Sequence, residues 1–169
     1  MTVSELMTGV TPDANYEGFV MVDDMVLAID TAPDASTPTT VPNYAVVGGC
    51  GITGVTSALN PTSQEKAYIR TGKNTHKTGT ARSFTISGDR YVGDAAQDFL
   101  LSHAMKYGRG KEVVTNYVYF NVLTGKGEKG QVSVVVNNDG SGEAENNAGI
   151  EVVLNKYGDD PAEYTYSAS

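Results

Sequence analysis

The sequence is poor in the residues on which most enzymes and stapled domains rely. It holds one cysteine, Cys50, and two histidines, His76 and His103, among 169 residues. A single thiol closes no internal disulfide, and neither imidazole has a second His or Cys at ligand spacing, so a disulfide scaffold and a zinc site are both excluded. Long apolar runs are missing too. The best early one, residues 19–29, is broken by Asp23 and Asp24, well short of the roughly 20 apolar residues that a membrane helix needs. The chain starts at Met1 without a cationic stretch leading into an apolar one, which leads to the expectation of no secretory signal and of synthesis in a cytoplasm. Phenylalanine is scarce, with 4 residues against 19 glycines, a balance that implies modest core volume and many turns. No internal repeat is visible, and the length suits one β-rich domain over 1–169.

Basic residues are absent from the first 65 positions, and this absence exposes a segregated charge pattern. Residues 1–65 hold eight Asp or Glu and no Lys or Arg, residues 66–129 hold eleven basic and five acidic, and residues 130–169 hold one basic and seven acidic. The blocks therefore carry −8, +6 and −6, which sum to the net −8. Unlike patches on copies of one chain attract and fix register, so self-assembly is physically open to it, although a merely solvated surface would have the same composition.

Alternation of apolar and polar residues recurs along the chain. Phe84 and Ile86 sit between Ser83, Thr85 and Ser87, and Val132, Val134 and Val136 follow Gln131 with the same period. The longest candidate strand, residues 111–123, sets Val114, Val118, Phe120 and Val122 against Thr115, Tyr117 and Tyr119. Its partner is expected over 131–138, joined through the glycine-rich 124–130 as an antiparallel hairpin. Further strands are expected at 26–30, 43–47, 54–58, 66–71, 150–155 and 162–166. One segment has another period: Ala95, Ala96, Phe99, Leu100, His103, Ala104 and Tyr107 recur at intervals of three and four, as on an amphipathic helix over about 94–107. Asp94 with Gln97 has capping-box spacing, and Gly108 offers a left-handed stop. One short helix cannot cover both faces of a sheet, so the fold class expected is mainly β, a sandwich or barrel with one flanking helix. The stretches 1–17, 31–42 with Pro33, Pro38 and Pro42, and 60–80 read as unpaired, and long unpaired stretches in a compact domain need a partner to offset their ordering entropy. Residues 137–149 read as a solvated loop.

Several motifs are weighed and set aside. Gly49-Cys50-Gly51-Ile52-Thr53-Gly54 matches a dinucleotide fingerprint in letters, but β-branched Val55 and Thr56 follow where a helix would have to start, so the glycines are read as a bulge or a close backbone approach. His103, on the apolar side of the helix, reads as a partly buried residue and His76 as a solvated loop residue; no nucleophile elbow accompanies either. Asn137, Asp139 and Ser141 resemble part of a calcium loop, but its twelfth position falls on Ala148. Lys66, Arg70, Lys73, Lys77 and Arg82 form a basic strand-loop-strand unit without interleaved aromatics, which disfavours nucleic acid as its target and favours the acidic blocks. Tyr16, Tyr44, Tyr68, Tyr117 and Tyr119 are candidate interface anchors, or ordinary half-buried sheet residues. No cofactor and no enzymatic activity are expected.

The order of features, a strand pair, a long polar loop, a capped helix at 93–108, a Val-rich hairpin and the ending Gly-Ile-Glu-Val-Val-Leu-Asn-Lys-Tyr-Gly-Asp-Asp-Pro, resembles the major tail proteins of long-tailed, non-contractile phages, especially those of Gram-positive hosts. The resemblance spans about 43–169. It implies hexameric rings that stack into a tail tube conducting DNA, a virion location after synthesis in a bacterial host, extended terminal arms such as 1–17, and a tape measure protein with tail terminator and distal tail proteins as further partners. It also implies that the long loop at 60–80 reaches the neighbouring ring, which points to Arg70, Lys73, Asn74, His76 and Lys77 as inter-ring contacts. A surface-adhesion or decoration β-sandwich is the runner-up reading, and a hydrolase built around Cys50 the weakest.

Overall fold

The alternating segments form one antiparallel sheet in the computed structural model, which describes residues 1–34, 36 and 39–167. The strands are β1 (Met25–Ile29), β2 (Ala45–Val47), β3 (Ile52–Ala58), β4 (Pro61–Tyr68), β5 (Gly72–Thr80), β6 (Ser83–Asp89), β7 (Val114–Asn121), β8 (Lys126–Ser141) and β9 (Gly149–Thr165). Seven of them join in the order β2-β1-β7-β8-β9-β6-β3, while β4 and β5 pair only with each other. The helices are α1 (Val3–Leu6), α2 (Ala95–Leu100) and α3 (His103–Tyr107). The fold is mainly β, a curled sheet approaching a half-barrel with a small helical segment beside it.

The curl follows from what the inward side chains must bury. Phe84 on β6 and Tyr117 on β7 are separated by β8 and β9 in the sheet, three strand spacings or about 14 Å if it were flat. Their ring centroids nevertheless lie 5.3 Å apart, and Phe84 and Tyr119 lie 5.0 Å apart. Leu27, Ile29, Ile86, Val132, Val134, Val152 and Leu154 fill the rest of this concave core, closed on one side by Ala96, Leu100, Leu101 and Met105. The opposite period of β7 proves equally apolar: Val118 and Phe120, with Val26, Ala28 and Val46, form a second core on the outer face, covered by Val3 and Met7 from the N-terminal turn and by Tyr164 and Tyr166. Gly127 lies between Phe120 and Tyr164 in register, and a Cβ there would stand 2.5 Å from the Phe120 Cβ, so its missing side chain lets the two rings meet at 5.8 Å.

Several expectations are corrected. The stretch 60–80 is no unpaired loop but the β4–β5 hairpin; the strand pattern was hidden because neither face of it is buried, so no apolar alternation marks it. The first seven residues are docked rather than free: Thr2 bridges Ala45, the Val46 amide donates to the Met1 carbonyl at 2.9 Å, and Val3 is fully buried. Residues 137–141 continue β8, and 162–165 belong to the same strand as 150–155, a continuous β9 of 17 residues. Pro38 lies outside the described residues.

The helical segment stands where expected but breaks at Leu101 and Ser102 into two short helices. The break rotates the buried face, so Gln97, Leu101 and Met105 are inside while Ala95, His103 and Tyr107 are outside; His103 rests on the Tyr107 ring at 4.8 Å. Gln97 closes no capping box. Its amide nitrogen donates to the carbonyls of Cys50 and Asp89, and its oxygen accepts from the Tyr91 amide at 2.9 Å, tying the helix to the β2–β3 turn. Gly108 is not left-handed (φ −65); glycine is required because a Cβ there would meet the Ala104 carbonyl. At the β2–β3 turn Gly51 is left-handed (φ +76) and its backbone passes under the Asp89 carbonyl, with a register shift between Ile52 and Gly54, so the glycine-rich letters serve a bulge and a close approach.

Two outcomes test this description. Phe84→Ala should cost about 3–5 kcal/mol in urea unfolding of dispersed protein, because it removes the ring that the curl closes upon. Burial raises the Asp94 carboxyl above its ordinary 3.8, opposed by the Gln97 amide and the N-terminal ammonium. Folding thus favours its protonated form, a contribution complete below 3.8 and lost as pH climbs through the raised value. Asp94→Asn should melt higher than the parent at neutral pH and show a flatter decline across that window.

Candidate assembly surface

The β4–β5 hairpin is built as an appendage. All of Pro61 to Tyr68 is exposed, and the register from Pro61↔Thr80 to Tyr68↔Gly72 is set by backbone pairing with no buried side chain beneath it, with a bulge at Thr62 and Ser63. Its root is clamped by Asn60, which adopts a left-handed backbone (φ 45) that asparagine tolerates. The Asn60 amide donates to the Ala81 carbonyl at 3.1 Å and the Ser83 hydroxyl at 2.8 Å, and the Ala81 amide donates to the Leu59 carbonyl at 2.9 Å. Asn60 was missed as a functional position; the Asn-Pro pair at 60–61 was its only signal. The tip turns through Ile69, Arg70 and Thr71 into left-handed Gly72 (φ +73), steadied by Asn74 donating to the Thr71 hydroxyl at 2.8 Å.

Strand alternation divides the residues expected to make contacts. Asn74 and His76 share a face with Gln64, Lys66 and Tyr68, while Lys73 and Lys77 share the other with Glu65; Arg70 stands at the tip. His76 meets the Tyr68 hydroxyl at 3.3 Å, and Lys73 pairs with Glu65 at 3.0 Å, so both are engaged within the hairpin. Among the described residues Lys66, Arg70 and Lys77 make no ion pair. Apolar surface accompanies this charge: Ile69 is 104% exposed and Tyr68 46%. Arg82 does not belong to the basic face. It is drawn inward, 2.6 Å from Glu128, with its guanidinium 4.7 Å above Phe84 and 4.9 Å above Tyr119. Burial and the Glu128 charge hold the adjacent Tyr117 hydroxyl above its ordinary range. Of the remaining candidate tyrosines, Tyr44 is buried, which pushes it up to about 12, and Tyr16 is exposed.

The other chemistry-bearing residues do not converge. Cys50 is half-buried and contributes its carbonyl to Gln97, His76 bonds Tyr68, and His103 stacks on Tyr107. Among the described residues no three His, Cys, Asp or Glu side chains stand close enough to hold a metal ion. Asp139, in the stretch resembling a calcium loop, pairs instead with Lys106 at 3.2 Å.

No protein-family model matches the sequence, and no curated protein matches it. Solved structures do share its fold. A chain from the "tail of empty GTA particle computed with helical refinement, C6 symmetry" aligns over 88% of this chain and 100% of its own, with a TM-score of 0.56 and 12% identity. A chain from the "virion of native gene transfer agent (GTA) particle" covers the same shares with a TM-score of 0.55 and 11% identity. At such identity the likeness is one of fold.

Because the hairpin touches the core only at its root, replacing residues 61–80 with a short Gly-Ser turn should leave the β-sheet circular dichroism of the remainder intact. Its unfolding free energy should change by no more than about 1 kcal/mol, since loop length alters closure entropy only slowly. A loss of several kcal/mol would show that the hairpin is a structural brace.

Proposed function

We propose that this chain is a structural virion protein, a tail tube subunit whose hexameric rings stack into the tube that conducts DNA into a host cell. The observation that carries the reading is the β4–β5 hairpin: a largely exposed, ordered arm with free cations and a bare apolar tip, on a fold shared with chains from assembled gene transfer agent tails. Such an arm gains nothing within one molecule, and a neighbouring copy supplies both the counter-charge and the apolar cover. Arg70 and Lys77 supply the attraction between rings, with Lys73, Asn74 and His76 shaping the hairpin that presents them. Around each ring, unpaired sheet edges meet those of neighbouring subunits. DNA passes through without being held, in keeping with the net −8 of the chain. A tape measure protein and tail terminator and distal tail proteins are the further partners this role calls for. The role is mechanical rather than enzymatic, and the place of action is the virion of a long-tailed, non-contractile phage or a particle of that kind.

Electron microscopy of concentrated purified protein should show rings and tubes of uniform width; a persistent compact monomer would favour an adhesion or decoration module instead. Replacing Arg70 and Lys77 with Glu should leave circular dichroism unchanged while raising the concentration needed for tube formation by about tenfold or more, the effect of about 1.4 kcal/mol per subunit.

A further inference from the structure

The curl leaves a groove between the two ends of the sheet. Met25, Val26 and Leu27 of β1 and Val46 and Val47 of β2 form one wall, and Ile52 to Val55 with Ser57 of β3 form the other, enclosing about 510 Å³. The two ends are protected unequally. The outer edge of β2 is paired with the N-terminal residues through the Thr2–Ala45 bridge, whereas β3 ends the sheet order and presents its outer edge to the groove. The lining includes Asp23 and no Lys or Arg, and it belongs mostly to the block of 65 residues that holds eight acids and no base. Val22, which lines the groove, is itself 78% exposed, and Met21 just before it is 68% exposed.

We infer that this groove receives the tip of the β4–β5 hairpin from a second copy of the chain, with Ile69 as the apolar anchor and Arg70 and Lys66 set against the Asp23 side of a lining that holds no base. The assignment rests on the tail tube reading and names the receiving surface which that reading leaves open. Three matches carry it. Charge is complementary, since the hairpin cations lacking internal partners face a surface without bases. Polarity is complementary, since the most exposed apolar side chain of the hairpin meets a groove walled largely by Val, Leu, Ile and Met, with Val22 exposed beside it. Size fits as well: about 510 Å³ falls within the roughly 300–1,000 Å³ of pockets that engulf compact ligands, room for Ile69 together with the Tyr68 ring. The occupant comes from another molecule, because within its own chain Ile69 is fully exposed. Backbone groups on the free edge of β3 can bond the incoming turn, as exposed strand edges do for added peptides.

Cysteine cross-linking tests the assignment in assembled protein. In a Cys50→Ser background, a variant carrying Ile69→Cys is mixed with one carrying Val55→Cys, on the groove wall, and oxidised after assembly. A covalent heterodimer is expected, whereas pairing Ile69→Cys with Ser87→Cys, on the open face of β6, should give at least tenfold less. Tubes that form normally with no link between positions 69 and 55, or with equal linking to position 87, would overturn the groove while leaving the tail tube reading in place. If the unmodified protein never forms rings or tubes, the tail tube reading falls and the groove assignment falls with it. A second readout uses Ile69→Asp, which should raise the assembly concentration at least tenfold with the fold unaltered, while Ile69→Leu assembles normally; equal assembly of both would refute the anchor.

Discussion

The packing of Phe84 edge-on to Tyr117 and tilted against Tyr119 holds together strands that the hydrogen-bond order keeps apart, and the rest of the molecule is arranged around that contact. Arg82 lies over two of these rings with Glu128 at its side, so the closure is aromatic within and ionic at its rim. A flat sheet of seven strands would leave one face bare, and the three short α-helices of the described residues could not cover it. Bending lets the sheet bury its own concave side. The cost of the bend appears at the ends, where β2 and β3 approach each other without pairing and the N-terminal residues shield only one of them. An open strand edge is ordinarily a hazard of indiscriminate association. Here it lies beside acidic and apolar surface, which restricts what can approach it.

Charge segregation along the chain becomes spatial segregation in the fold. The acidic first third wraps the β1–β2 end, while the cations of 66–77 are carried away from the body on the hairpin. Separation of this kind leaves Lys66, Arg70 and Lys77 without an ion pair among the described residues. Exposed ion pairs such as Glu65–Lys73 contribute at most about 1 kcal/mol each, so on the proposed tail tube reading a single contact between copies would be weak and durability would come from repetition.

What could be read from the letters was whatever burial imprints on them. The strands around Phe84, Val118, Val134 and Val152 were legible because one side of each is in the core, and the alternation in 111–123 was correct on both sides even though both turned out to be apolar cores. Of the hairpin strands only a fragment was legible, the strand expected at 66–71, which overlaps the end of β4 and runs on into the turn; exposure on both faces removes the selection for alternation elsewhere. The helix was recognised, but its break at Leu101 and Ser102 was not: Gln97 spends its side chain on Cys50 and Asp89, a long-range demand that local spacing does not reveal. The candidate surface was found through charge alone. Its division into two faces, the internal ties of Lys73 and His76, and the withdrawal of Arg82 all depend on strand register, which one sequence does not disclose.

The clamp formed by Asn60 gives the hairpin an origin but few obligations to the body. Substitutions along residues 61–80 therefore leave folding nearly untouched and are answerable only to whatever surface they meet. On the proposed reading, change in that ribbon would alter what it meets while the packing around Phe84 stays as it is.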